Sequence, residues 1–128
     1  MVFVDKEHEN FFYEKKRTAK NIDVYNLPVF YLLGLTEETR NHFDQLFNIW
    51  KNEIYTEQLL KGWQTGTTYK ITRLAFNLFN GNVYDTEEDY KNDNVSPKYA
   101  TDEIFCCSFA PYFWEAIKLR YPEYCIKF

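Results

Sequence analysis

The aromatic side chains of this chain recur at helical spacings, and there are enough of them to fill a core. The sequence has 12 Phe, 11 Tyr and 3 Trp, but only four glycines. A buried aromatic removes roughly 150–250 Å² from water, so a short chain equipped in this way can close a dense interior. Phe43, Leu46, Phe47, Trp50 and Ile54 repeat every three or four residues, as do Ile71, Leu74, Ala75, Leu78 and Phe79. That is the period of one helix face. No run alternates cleanly every two residues, and no Asn-Gly turn joins two strand-like runs. The expected fold is all-α: a single compact domain over 1–128, with six or seven helices around an aromatic-rich core.

Turn and cap residues divide the chain. Asp5 caps a helix running to about Lys16, with Phe11 and Phe12 inward. Asn21 opens a second stretch carrying Ile22, Tyr25, Val29, Phe30, Leu32 and Leu33, and Pro28 within it predicts a kink or a break. Gly34 reads as a left-handed helix stop. Thr36, with Glu37 and Glu38 behind it, starts the clearest helix, whose stripe extends through Trp50 to Ile54. Thr56 caps a short helix with Leu59, Leu60 and Trp63 inward, broken at Gly66. Thr67 or Thr68 caps the next helix and Gly81 ends it. Ser96-Pro97 or Thr101 restarts the helical pattern. Ala110-Pro111 opens a last helix carrying Phe113, Trp114, Ile117 and Tyr121, which Pro122 stops.

Charge is concentrated in one place. Residues 82–94 hold Asp85, Glu87, Glu88, Asp89 and Asp93 against Lys91 alone, a net of −4, which equals the formal net charge of the whole chain. The stretch at about 82–95 has no apolar period and reads as an acidic loop. A nucleic-acid-binding surface is not expected from this balance. The short basic run Lys15, Lys16, Arg17 and Lys20 fits the solvated end of a helix. The acidic N-terminus lacks the basic start and apolar run of a signal peptide, and no segment has the roughly 20 apolar residues of a membrane helix. The expected location is the cytoplasm, with no membrane contact. Cys106, Cys107 and Cys125 have no framework spacing, so buried free thiols are expected. With no CxxC or HxxxH pair, neither a metal nor a cofactor is expected.

Four constellations bear on function. His42 stands two residues from both Arg40 and Asp44, which do not face it on a helix, and so reads as a surface or boundary histidine. His8, between Glu7 and Glu9, reads as part of a solvated cap region. Cys106 and Cys107, flanked by Ile104, Phe105 and Phe109, read as buried rather than nucleophilic. Gln64, Thr67, Lys70 and Arg73 surround a helix start, and such an end attracts anions. The run lacks the spacing of a phosphate-binding loop, and ordinary capping competes with that reading.

The stretches WQTGTTYKITRLAFNLFNG at 63–81, GLTEETRNHFDQLF at 34–47 and IFCCSFAPYFWEAIKLRYPEYC at 104–125, with EHENFFYEKK near the N-terminus, resemble a family of short uncharacterised proteins from low-GC Gram-positive bacteria. The resemblance covers most of the chain outside about 82–95. It implies no enzyme activity and a setting on plasmids, phages or conjugative elements, where small proteins often act on host defence. The expected function is a non-enzymatic protein-binding accessory factor, such as an anti-CRISPR inhibitor. Its partner would be a larger, nucleic-acid-handling protein, contacted through Asp85, Glu87, Glu88, Asp89 and Asp93. One alternative is a small enzyme or phosphate-ligand protein using the 64–73 region. Another is a structural homo-oligomer, with surplus aromatics forming a dimer interface.

Overall fold

The computed structural model describes residues 1–125. Its order is α1 (Lys6–Thr18), α2 (Asn26–Leu33), α3 (Glu37–Asn41), α4 (Phe43–Leu46), β1 (Phe47–Asn48), β2 (Glu53–Ile54), a 3-10 turn (Thr56–Leu60), α5 (Gly66–Asn80), α6 (Glu87–Lys91), a 3-10 turn (Pro97–Tyr99), α7 (Thr101–Ile104), α8 (Ala110–Arg120) and a 3-10 turn (Pro122–Tyr124). The fold is all-α with an aromatic core, as the spacing predicts.

The centre is α2. Every residue from Pro28 to Leu35 is buried, so this helix is apolar on all sides and needs cover on all sides. It packs chiefly against α5, α8 and α1. Phe12, Phe30, Tyr31, Phe43, Phe47, Phe76 and Phe113 are its largest fully buried neighbours or members. Their rings meet edge-on or tilted, as for Phe11 on Phe43 at 5.4 Å and Phe30 on Phe47 at 6.0 Å. The stripe on α5 and the Phe43, Leu46 and Phe47 part of the other thus converge on one interior.

Several local expectations change. The second helix begins at Asn26, not Asn21, because Asp23 Oδ1 accepts the backbone N–H groups of Tyr25 and Asn26 at 2.9 and 2.8 Å. Pro28 therefore lies in the first turn, where its missing donor is harmless, and it neither kinks nor breaks the helix. Gly34 is not left-handed: its φ is −81°. Its requirement is space. A Cβ there would stand 2.9 Å from His8 Cδ2, 2.9 Å from Phe11 Cδ1 and 3.2 Å from the Phe30 carbonyl. Gly81 does take the left-handed form, at φ 77°, and ends α5 as expected.

The long helix expected from Thr36 to Ile54 is divided. It stops at Asn41, resumes for one turn, and gives way to a hairpin pairing Phe47 with Ile54 and Asn48 with Glu53. Asn48 Oδ1 accepts from the backbone of Trp50 and Lys51 at 3.0 and 2.9 Å, and Asn52 adopts φ 57°. These Asn-made turns override the apolar stripe. Trp50 consequently stands 73% exposed at the tip. Leu60, also expected inward, is 67% exposed, and Trp114 on the last helix is 58% exposed. Gly66 is the first residue of α5 rather than a break; Thr65, not Thr67 or Thr68, is the cap, in a reciprocal box with Thr68. The cysteines are free, but Cys106 is exposed and Cys107 and Cys125 are half-buried, so the expectation of buried thiols fails. Among the described residues no helix is long and apolar enough to cross a membrane.

Candidate functional site

Two regions singled out from the sequence meet in space. Arg73, on α5, donates from Nε and an Nη to the two carboxylate oxygens of Asp85, at 3.0 and 3.1 Å. Both side chains are largely covered. A bidentate guanidinium–carboxylate pair fixes orientation as well as distance. The face read as an anion site therefore holds one end of the acidic segment.

The rest of the segment is tied down by backbone and amide bonds. Asn77 Nδ2 donates to the Asn82 carbonyl at 3.1 Å. Asn82 Nδ2 donates to the Tyr84 carbonyl at 2.8 Å and to the Tyr99 hydroxyl at 2.9 Å. The Tyr99 hydroxyl donates back to the Tyr84 carbonyl at 3.3 Å. Burial, and then the negative charge of Asp85, push the Tyr99 phenol well above its ordinary range, so it stays a neutral donor. Ser96 N–H donates to the Val83 carbonyl at 2.9 Å and closes the far end.

Between these ties the stretch is not a bare loop. Thr86 caps α6, its Oγ1 accepting from Asp89 N–H at 2.9 Å, and three carboxylates occupy the first turn, where the helix dipole favours them. Capping signals carry this helix without any apolar period, which is why periodicity misses it. Asp93, at φ 51°, accepts the Tyr84 hydroxyl, and that bond raises the exposed phenol's pKa. Asp89 Oδ1 accepts from Asn94 Nδ2 at 3.1 Å. Asp85 and Asp93 are thus engaged internally. Glu87 and Glu88 are exposed, Glu87 with only an exposed Lys91 partner at 3.5 Å.

The proposed anion-binding residues are distributed differently from the expectation. Gln64 is buried, its Nε2 donating to Thr72 Oγ1 at 3.4 Å while its Oε1 has no partner among the described residues. Thr67 lies half-buried in the first turn of α5. The Lys70 ammonium donates to the Glu103 carbonyl. Lys70, Arg73, Tyr69, Lys98 and Glu103 line a hollow of about 330 Å³. Its cations already have partners, Lys98 reaching Glu103 at 3.7 Å.

A larger open groove, about 710 Å³, lies beside α6. Ile54 and Leu60 supply apolar surface from the hairpin side and Tyr90 from α6, while Glu57 and Glu87 are its ionisable lining. The sequence gives no local signal for it, because it joins residues 54–60 to 80–90.

The histidines stand apart from this region. His8 is fully buried, contrary to the solvated reading. Its Nδ1 accepts from Val4 N–H at 3.1 Å, so Nε2 carries the proton and donates to the Tyr31 carbonyl at 2.7 Å. Burial lowers its pKa, partly offset by the bond to Tyr31 and by Asp5. Its spacing from Phe11 and Phe12, three and four residues on, is the signal that places it on the inner face. His42 donates from Nδ1 to the Glu38 carbonyl at 2.8 Å and stacks flat on Trp63 at 3.9 Å. No group of three or more His, Cys, Asp or Glu able to hold a metal occurs among the described residues.

No curated protein matches this chain, and no solved structure matches it. A family model described as "Family of unknown function (DUF6075)" matches residues 1–127, and the chain belongs to that family.

Proposed function

We propose that this chain is a non-enzymatic protein-binding module that presents its acidic edge to a basic surface of a larger partner. One observation carries the reading. Residues 84–95 contribute no buried residue, yet the segment is fastened by hydrogen bonds at Asn82, Asp85 and Ser96. A fixed, exposed edge of one sign steers a basic partner and speeds association more than it deepens affinity. Glu87 and Glu88 are the exposed residues for this task, with the Asp89 side chain beside them bound only to the Asn94 amide among the described residues, since Asp85 and Asp93 are engaged by Arg73 and Tyr84.

The acidic N-terminus supports placing the module in the cytoplasm, and the resemblance noted in the sequence supports an accessory factor of a mobile element or phage. Inhibition of host defence, as by an anti-CRISPR protein, is the role proposed there. The basic channel of a nucleic-acid-handling effector is the kind of surface such an edge complements. The phosphate-ligand alternative is weakened by the internal partners of Lys70 and Arg73. Exposed Trp50, Trp114 and Tyr124 favour the homo-oligomer as the second reading.

The test is affinity capture from a bacterium of the kind the resemblance indicates. Association of the captured protein is then measured with the native chain and with a Glu87→Gln, Glu88→Gln, Asp89→Asn variant. The native rate should fall with salt, and the variant should associate more slowly with a flatter salt response. Equal rates for both at low and high salt would refute the acidic edge.

A further inference from the structure

Leu60 and Tyr90 are each 67% exposed, come from separate segments, and line the same groove. Ile54, on the hairpin, adds apolar surface to the same groove. Neither side chain is needed to close the core, which the residues around α2 fill. The groove's volume, about 710 Å³, falls in the range of sites that receive a few large side chains.

Its charge is one-sided. Glu57 and Glu87 line it, and neither lysine nor arginine does among the described residues. The Glu87–Lys91 contact is a solvent-exposed pair and is easily exchanged. Glu88 and Asp89 extend the same sign along α6. An anionic ligand is repelled here, and so is a nucleic-acid backbone.

We infer that the groove receives a basic amphipathic polypeptide segment of the partner. One or two large apolar side chains sit against Ile54, Leu60 and Tyr90, and flanking Lys or Arg side chains meet Glu57 and Glu87. This rests on the reading of the chain as a protein-binding module, and it names the kind of segment bound. Charge complementarity selects the occupant, and the apolar lining makes it more than a counter-ion. Such a division, with an apolar anchor for affinity and charges for orientation, is the usual anatomy of a binding hot spot.

The test uses the full chain and three short fluorescein-labelled peptides read by anisotropy. The first has an amphipathic pattern of Lys and Arg with Leu and Phe. The second keeps the charges and replaces Leu and Phe by Ser. The third keeps the apolar residues and replaces Lys and Arg by Glu. The first should bind most tightly and weaken about tenfold with Leu60→Ser or Tyr90→Ser. The second should bind weakly and ignore those substitutions, and the third should not bind. Both substitutions are at exposed positions, so unchanged melting curves confirm intact folds. If the first two peptides bind equally well and both respond only to Glu88→Gln with Asp89→Asn, the groove inference falls while the acidic-edge reading stands. Absence of binding by the first peptide also overturns it. Concentration-dependent self-association abolished by Leu60→Ser would replace the peptide with a second copy of this chain.

Discussion

Residues 28–35 are all buried, whereas residues 84–95 contain no buried residue. The two regions are held by different forces. Around α2, aromatic and aliphatic side chains leave water together, and the few polar groups among them are spent on fixed partners. His8 holds Val4 and the Tyr31 carbonyl, Thr39 donates to the Leu33 carbonyl at 2.8 Å, and the Tyr31 hydroxyl donates to the Val2 carbonyl at 2.5 Å. Along the acidic edge, shape comes from one ion pair, a helix cap and side-chain amides. The first region sets stability. The second sets what the surface offers, and it can change with little cost to the fold.

The largest effect should come from the interior. Phe30→Ala or Phe113→Ala removes a fully buried ring and should cost about 3–5 kcal/mol, measured by urea unfolding. A loss below about 1 kcal/mol would mean that the core collapses around the gap. Gly34→Ala should cost about 1–3 kcal/mol, because the new methyl meets two rings and a backbone carbonyl.

His8 sharpens the comparison through pH. Its folded-state pKa lies below the unfolded value near 6.5, with burial the leading cause. The unfolded chain therefore binds the extra proton first as pH falls. Stability is full above about pH 6.5 and declines below it, because the folded state resists a proton that would also cost Nδ1 its bond from Val4. Between about pH 5 and 6.5, above the ordinary carboxylate range, this fall should be seen in the urea midpoint and should vanish in His8→Gln. Asp5 opposes the shift and Arg40 reinforces it, so Arg40→Gln should lessen the fall.

The edge should respond more weakly. Asp85→Asn loses the bidentate pair and should lower the free energy of local opening of the segment by about 1–2 kcal/mol. Amide exchange at Thr86 to Asp89 should accelerate well beyond that in α2. Uniform acceleration across the chain would show that edge and core unfold as one unit.

What the sequence made legible follows the same line. Caps and stops at Asp5, Thr36, Ser96-Pro97 and Gly81 act within a few residues, and they stand where the sequence places them. The stripe on α5 is long enough for periodicity to decide. The run from Phe43 to Ile54 is not, because Phe47 and Ile54 satisfy a helical stripe and a strand pair equally well. Asn48 and Asn52 were the available signals for the turn. The charged neighbours of His8 point to solvent, whereas Phe11 and Phe12, on its helix face, carry the signal of its burial. The carboxylates of the candidate site could be named, but the Arg73–Asp85 pair and the Leu60–Tyr90 groove depend on contacts between distant segments.

The most direct measurement replaces residues 86–94 with a Gly/Ser linker and records two properties of one variant. Asp85 and Ser96 are kept, so both ends of the segment retain their ties. The variant should melt cooperatively within about 1 kcal/mol of the native chain, since no buried residue is lost. It should also lose binding of the basic amphipathic peptide, since Tyr90, Glu87, Glu88 and Asp89 are gone. Loss of cooperative melting, or peptide binding at native strength, would contradict the separation of fold from recognition.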